Sequence, residues 1–325
     1  MKKWLNKMKI LITGSRGFIG SHLAPALIKK GHEIIHYDIK DGNDILDLKK
    51  LEEMAKGVDG IVDLAAVQRP LTGFHYPFET IRTNIMGLNN VLEVAMKNKA
   101  FLVFSSSKTV YGKPEKLPAK ESDPKNPTNV YSLTKHTSEM FIKDFCRNYG
   151  LRAIVVRFST IFGDGNDLLD RAIPTFMYKA VKDIDLIVQD PERVIDPTFI
   201  DDIVPCLVKA VEKLKDEEKG FFEDYNFASG YPMKIREIVE LILSIANSKA
   251  KIIKTIGARK YDFGGFYGDP SKIKNDLGFK FTPTEEAMKI YHKRFLEYLN
   301  AEKISQKDID YMLSYYNRKK ELILK

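Results

Sequence analysis

The sequence predicts an α/β fold, a doubly wound parallel sheet followed by a smaller mixed lobe at the C-terminal end. Three observations predict it. Short apolar runs alternate with helix-length amphipathic stretches through the first half of the chain, which is the pattern of strands buried on both faces by crossover helices. A glycine-rich turn separates the first run from the first amphipathic stretch. After Gly163 the rhythm changes, and shorter segments are punctuated by Pro174, Pro191, Pro197 and Pro205.

The elements follow in order. Ile10 to Thr13 is the first strand and stops at Gly14. Helical periodicity then runs from Ile19 to about Lys30 and is closed by Gly31. Glu33 to Tyr37 is the second strand, ending at Asp38, and Leu48 to Met54 is a short helix. Gly60 to Asp63 opens a third strand that runs into Leu64, Ala65 and Ala66. One long helix is expected from Phe78 to Lys97, a fourth strand from Phe101 to Ser105, and a second long helix from Tyr131 to Tyr149, closed by Gly150. Arg152 to Arg157 is the fifth strand. Beyond Gly163, a strand around Phe199 is expected to join the sheet, with helices over Asp201–Lys215 and Ile235–Ala246 and an amphipathic, helical tail over 301–325. Crossovers should be right-handed.

Composition excludes several classes. With 325 residues and 44% apolar side chains, the chain can bury a large core, so disorder is excluded. No apolar run reaches the roughly 18 residues that a membrane helix needs. The lysine-rich start lacks both the apolar region and the cleavage site of a signal peptide. The two cysteines, Cys146 and Cys206, lie far apart in helical stretches, so no disulfide framework is expected and a reducing, cytoplasmic setting fits. Six scattered histidines show no metal-ligand spacing. The net charge of +8 comes from lysines interleaved with acids along the whole chain, which reads as a solvated surface and not as a nucleic-acid interface.

Gly14, Gly17 and Gly20 stand in the spacing G-x-x-G-x-x-G between a strand and a helix. Glycines there permit a tight turn and let the backbone approach a pyrophosphate at the helix N-terminus. An ordinary βα turn would look similar. Asp38 strengthens the dinucleotide reading, since it ends the next strand 18 residues past Gly20, where a carboxylate accepts hydrogen bonds from a ribose diol. A carboxylate repels a 2′-phosphate and points to NAD, whereas Arg16 and Lys40 can pair with such a phosphate and keep NADP open. Tyr131 and Lys135 fall at i and i+4, on one helix face, where an ammonium can stabilise a phenolate that acts as general base. That pair is common by chance. Ser105, Ser106 and Ser107 end the preceding strand, at the sheet edge where ligands bind, and one hydroxyl there can orient a substrate hydroxyl.

Taken together, GSRGFIG at Gly14, YD at Asp38, NDILD around Asp44, DLAA at Asp63, NIMGLNNVLEVA at Asn84, FSSSKTVYG ending at Gly112, YSLTK at Tyr131 and FIDDIV around Asp201 resemble the extended short-chain dehydrogenase/reductase family. This is also called the NAD-dependent epimerase/dehydratase family. The resemblance covers about Ile10 to Phe281 and includes YNFASG from Tyr225 and DPSKIKNDLGF from Asp269. It implies a Rossmann-type NAD-binding domain over 1–163 and a substrate lobe over 164–325, some of whose segments return to the sheet. By the same resemblance, Phe18 and Ile19 line the pyrophosphate, and Asp44 and Ile45 flank adenine. Leu64, Ala65 and Ala66 run along the cofactor, with Asn84 near it. Tyr131 is the base, Lys135 holds the nicotinamide ribose and lowers the tyrosine pKa, and Ser107 orients the reacting hydroxyl.

The chain departs from the family pattern at three places. Asp63 replaces the usual His before Leu-Ala-Ala. Thr160 replaces an Asn that commonly touches the substrate diphosphate. The usual Arg-Asp-Phe appears as Ile195-Asp196-Pro197, with Arg193 displaced two residues upstream, so Thr160 and Arg193 are the candidate substrate contacts. After the serines, family dehydratases carry an Asp-Glu or Ser-Glu pair whose glutamate removes the C5 proton, whereas here Lys108 and Thr109 stand at those positions, followed by Val110-Tyr111-Gly112 as in UDP-glucose 4-epimerase-like members. The resemblance therefore implies an NAD-dependent 4-epimerase acting on a sugar nucleotide, in the first instance a UDP-sugar. A net NAD(P)-dependent reductase or dehydrogenase of the same fold is the alternative, and a non-catalytic cofactor- or RNA-binding protein the remote one. Many members dimerise through the helices matching 78–97 and 131–149, whose expected outer faces carry Leu88, Leu92, Phe141 and Phe145.

Overall fold

Every strand of the first half alternates its side chains between two cores. In Lys9–Thr13 (β1), Ile10 and Ile12 enter one core and Leu11 the other, as the twofold period of a strand requires. A computed structural model describes residues 7–167, 169–258, 264–301 and 303. The chain continues through Phe18–Lys29 (α1), Glu33–Tyr37 (β2), Leu48–Met54 (α2) and Gly60–Asp63 (β3). Two short helices, Pro70–His75 (α3) and Pro77–Ile81 (α4), lead to Gly87–Asn98 (α5), then Phe101–Ser107 (β4), Val130–Tyr149 (α6) and Ala153–Phe158 (β5).

The C-terminal half contains Thr160–Phe162 (β6), Ala172–Val181 (α7), Leu186–Gln189 (β7), Val194–Ile195 (β8) and Pro197–Phe199 (β9). Ile200–Lys215 (α8), Phe222–Phe227 (β10), Met233–Lys234 (β11), Ile235–Ile245 (α9), Ile252–Ile256 (β12), Ser271–Leu277 (α10) and Thr284–Asn300 (α11) follow. Six strands form one parallel sheet in the order β10-β5-β4-β3-β1-β2. This is a Rossmann-type doubly wound sheet. One face is covered by α1 and α8 through Leu23, Leu27, Ile203 and Leu207; the other is covered by α2, α5 and α6 through Leu51, Val91 and Ile142. The winding reverses at β1, which has β2 on one side and β3 on the other, so a crevice opens beyond the carboxyl ends of β1 and β3.

Four expectations are revised. The strand at Phe199 does not join the central sheet. It pairs with β6 in a separate two-stranded ladder, consistent with Pro197, which has no N–H to give to a central strand. The sixth place is taken by β10, which includes the YNF of YNFASG and pairs in parallel with β5. The fourth strand runs on to Ser107, because Ser105, Ser106 and Ser107 continue the ladder with Val156, Arg157 and Phe158. The helix expected over 78–97 is interrupted by a π turn at Arg82–Met86. Beyond that turn Leu88 and Leu92 point into the core at 2% and 3% exposure, so they are not outer-face residues, whereas Phe141 is exposed. The tail over 304–325 lies outside the described residues. Among those residues, no helix is long and apolar enough to cross a membrane.

Candidate active site

The crevice at the winding reversal is a cleft of about 600 Å³. Gly14 forms its floor at φ +65°, with its N–H donating to the Tyr37 carbonyl at 2.8 Å. A Cβ on Gly14 would stand 2.9 Å from Ala65 N, and one on Gly20 would stand 2.5 Å from the Gly14 carbonyl oxygen. Both contacts are with backbone, so these two glycines are required for the turn itself. Gly17 caps α1, whose first residues Phe18 and Ile19 line the cleft. Unpaired N–H groups of a helix start therefore face the space where an anion would lie.

Asp38 lies at the end of β2 on the cleft wall. Its carboxylate accepts the backbone N–H of Arg16 at 2.8 Å and that of Lys40 at 2.9 Å, which fixes its orientation. The Arg16 guanidinium turns away to Asp41 at 2.9 Å. Of the two cations that could pair with a 2′-phosphate, Arg16 is thus engaged by a carboxylate, while the Lys40 ammonium donates to the Arg16 carbonyl at 3.4 Å. Asp44 and Ile45 line the far end of the cleft, and the Asp44 carbonyl is held by the Tyr37 hydroxyl at 2.7 Å. Leu64, Ala65 and Ala66 form the opposite rim, where the N–H groups of Leu64 and Ala65 each donate to Thr13 Oγ1 at 3.1 Å. Asn84 does not itself line the cleft. From the π turn its amide accepts the Val67 N–H at 2.8 Å and donates to the Val67 carbonyl and to Thr134 Oγ1, each at 3.0 Å. It clamps the rim to α6.

The helix that carries the reactive pair begins with a capping box in which Asn129 and Ser132 satisfy each other's backbone N–H groups. Tyr131, within that first turn, and Lys135, one turn on, reach the cleft at 8% and 3% exposure. The Lys135 ammonium donates to the Ser105 carbonyl at 2.7 Å and lies 4.7 Å from the Phe104 ring centre. Burial brings its pKa down to about 8, against the attraction of Asp63 and then Glu139. Burial pushes the Tyr131 phenol up, and a hydrogen bond with Ser107 pulls it back. Arg171 and then Arg69, which the i, i+4 spacing does not bring in, also favour the ionised phenol. Ser107 also accepts from the Thr109 hydroxyl at 3.1 Å.

Behind the serine strand lies a buried polar network. Ser106 donates to Glu139, whose carboxylate accepts from Arg157 Nε at 2.9 Å and Nη2 at 2.8 Å. Arg157 also reaches Asp224 at 2.6 Å and the Tyr111 hydroxyl at 3.0 Å. Sequence reasoning missed this network, and it missed the cleft residues Arg69 and Arg171. Arg69 takes φ +85°, unusual for a side-chain-bearing residue, and pairs with Asp170 at 2.7 Å. Nothing in the sequence around Arg69-Pro70 announces that conformation. Of the two candidate substrate contacts, neither Thr160 nor Arg193 lines this cleft. Thr160 instead accepts a 2.7 Å hydrogen bond from Lys108, and Arg193 Nε lies 3.8 Å from Asp190. No cluster of side chains suited to a metal ion occurs among the described residues.

A sequence model of the NAD dependent epimerase/dehydratase family matches residues 10–228. The chain belongs to that family. It is 30% identical to a putative UDP-glucose 4-epimerase of Methanocaldococcus jannaschii, over 72% of this chain and 81% of that one. It is 29% identical to a UDP-N-acetyl-alpha-D-glucosaminuronate decarboxylase of Bacillus cytotoxicus, over 79% of this chain and 86% of the relative. Among solved structures it is similar to the UDP-glucose 4-epimerase of Thermotoga maritima with UDP-glucose, at TM-score 0.82 and 25% identity, covering 90% of this chain and 100% of that chain.

NAD is the cofactor of this family, and the cleft fits it. The glycine floor has no room for a Cβ, the α1 N-terminus faces the pyrophosphate position, and Asp38 stands where a ribose diol would donate.

Proposed function

We propose that this family member is a sugar-nucleotide 4-epimerase acting on a UDP-sugar. The observation that carries this reading is the pair that follows Ser107. Lys108 and Thr109 supply no carboxylate at the end of β4, where removal of a ring proton would need one. Nearby carboxylates are already engaged: Glu139 by Arg157, Asp170 by Arg69 and Asp167 by Arg171.

Bound NAD supplies a reversible hydride acceptor at C4 of the sugar. Tyr131 Oη takes the proton of the C4 hydroxyl, and Ser107 Oγ, hydrogen-bonded to Tyr131, orients that hydroxyl. Lys135, fixed on the Ser105 carbonyl, holds a positive charge beside the base and a donor for the nicotinamide ribose. Arg171 and Arg69 lower the cost of the phenolate. After the keto sugar turns over in the site, Tyr131 returns the proton on the opposite face. The residues end each cycle as they began it.

The experiment is a panel of sugar nucleotides incubated with the purified protein and followed by NMR. Inversion at C4 with no net change in nicotinamide absorbance supports the reading; net reduction or oxidation rejects it.

Two copies of the chain pair through the face made by α4, the π turn and α6, where Phe78, Met86, Leu133, Met140 and Phe141 are exposed. Sedimentation should give a dimer, and Phe78→Glu with Phe141→Glu should give a monomer. The free, buried thiols of Cys146 and Cys206 suit a reducing compartment, and we place the reaction in the cytoplasm.

A further inference from the structure

Asn43 lines the cofactor cleft and is only 8% exposed. Its backbone N–H donates to the Asp38 carbonyl at 3.0 Å, which holds it beside the residue that stands at the ribose diol. Every other polar side chain over 37–47 is engaged. The Tyr37 hydroxyl donates to the Asp44 carbonyl at 2.7 Å, and Asp38 accepts from the N–H groups of Arg16 and Lys40. Lys40 donates to the Arg16 carbonyl at 3.4 Å, and Asp41 accepts from Arg16 Nε at 2.9 Å. Asp44 accepts from the Leu46 N–H at 2.9 Å and Asp47 from the Lys50 N–H at 3.1 Å. The Asn43 amide makes no hydrogen bond among the described residues. It is not one of the polar atoms sealed in the interior without a partner, so it opens on the cleft that Asn43 lines.

The cleft itself says which part of NAD reaches this amide. The pyrophosphate faces the α1 N-terminus and the ribose diol faces Asp38. The base is carried by the ribose carbon that adjoins the 2′ carbon, so it lies next to Asp38. There Ile39, Asn43, Asp44, Ile45 and Leu46 line the cleft. Ile39 is exposed at the lip and Ile45 is buried, and both offer apolar surface to a planar ring. Adenine presents an amino donor beside a ring-nitrogen acceptor, and an amide matches that pair with one acceptor and one donor. Of the other polar side chains at this end, the carboxylates only accept and the cations only donate. The Tyr37 hydroxyl is already given to Asp44.

We propose that Asn43 reads the base of the cofactor. Its Oδ1 accepts from the exocyclic amino group and its Nδ2 donates to the neighbouring ring nitrogen, so Asn43 is a specificity-determining residue for adenine. Asp38 reads the sugar and Asn43 the base. The assignment does not depend on which reaction the site performs.

The test is displacement of NADH from NADH-loaded protein, followed by the nicotinamide fluorescence. The competitors are NAD and an NAD analogue whose adenine is replaced by purine, which lacks the amino group and adds no bulk. Wild-type protein should bind NAD roughly ten- to hundredfold more tightly than the analogue, the effect of leaving a buried amide oxygen unpaired. Asn43→Leu should weaken NAD and bring the two ligands within about threefold. Asn43→Asp should keep the preference, because its carboxylate still accepts from the amino group. Wild-type protein that binds both ligands within threefold, an arm that needs no variant, would overturn the proposal. A preference that survives Asn43→Leu would overturn it too. With NAD affinity unchanged, the base would belong to Asp44; with both ligands weakened equally, the amide would belong to the ribose.

Discussion

Asp63 and Lys135 face each other across the carboxyl ends of β3 and β4. Asp63 is the register partner of Phe104, and the Lys135 ammonium lies over the Phe104 ring. Burial raises the Asp63 carboxyl, while a 2.5 Å hydrogen bond from Thr13 and the charge of Lys135 hold it down. Of the carboxylates that act on Lys135, Asp63 acts most strongly.

Replacing that carboxylate should therefore be visible in the pH profile. Asp63→Asn keeps an acceptor for Thr13 and removes the charge that helps keep Lys135 protonated. Its ammonium, already at about 8, should then be lost at lower pH. The alkaline limb of kcat/KM should move down by up to about one pH unit. An unmoved limb would show that Lys135 does not set it.

Tyr131→Phe removes one hydroxyl and little volume. Turnover should fall by a factor of roughly 10² to 10⁴, the usual worth of a general base, with NAD affinity nearly unchanged. Activity within threefold of wild type would take Tyr131 out of the chemistry.

Cofactor preference depends on Asp38. NAD should bind more tightly than NADP to the wild type, because the Asp38 carboxylate repels a 2′-phosphate while Arg16 is occupied by Asp41. Calorimetry on Asp38→Ala should show the gap closing. Tighter NADP binding to the wild type would mean that Arg16 leaves Asp41 for the phosphate.

An epimerase breaks no carbon–proton bond at C5. In heavy water the product should carry no ring deuterium, and a C4 deuterium label should survive many turnovers. A 4-keto-6-deoxy product, or loss of the C4 label to released reduced cofactor, would reject the assignment while leaving the cofactor site in place.

The Glu139–Arg157 pair is buried on both sides, so removing one charge strands the other. Glu139→Gln should cost about 3–5 kcal/mol in urea unfolding of the NAD-loaded protein. A loss below about 1 kcal/mol would show that Asp224 and Tyr111 suffice for Arg157.

Much of the nucleotide half was legible because local rules and tertiary packing agree there. Gly14, Gly17 and Gly20 and the strands at Glu33 and Gly60 stand where periodicity and glycine chemistry place them. The fourth strand was closed at Ser105, two residues early, because polar residues rarely extend a ladder, yet the backbone pairing of Ser106 and Ser107 with Arg157 and Phe158 does not depend on side-chain polarity. The place of Phe199 was misread because a short apolar strand carries no signal of which sheet it will join. Long-range pairings such as Arg69 with Asp170 and Lys108 with Thr160 depend on segments meeting over large sequence separations, which no spacing rule encodes.

The π turn at Arg82–Met86 fixes the residue count of its helix. It places Asn84 on Val67 while Leu88, Val91 and Leu92 still face the core. Deleting one residue there would restore a regular helix and rotate one end against the other by about 100°, so either the amide clamp or the apolar stripe would be misdirected. Aligned relatives that differ by a single-residue gap within these five positions therefore differ in helix geometry, and the gap should travel with a change at the position of Asn84 or at its partner loop.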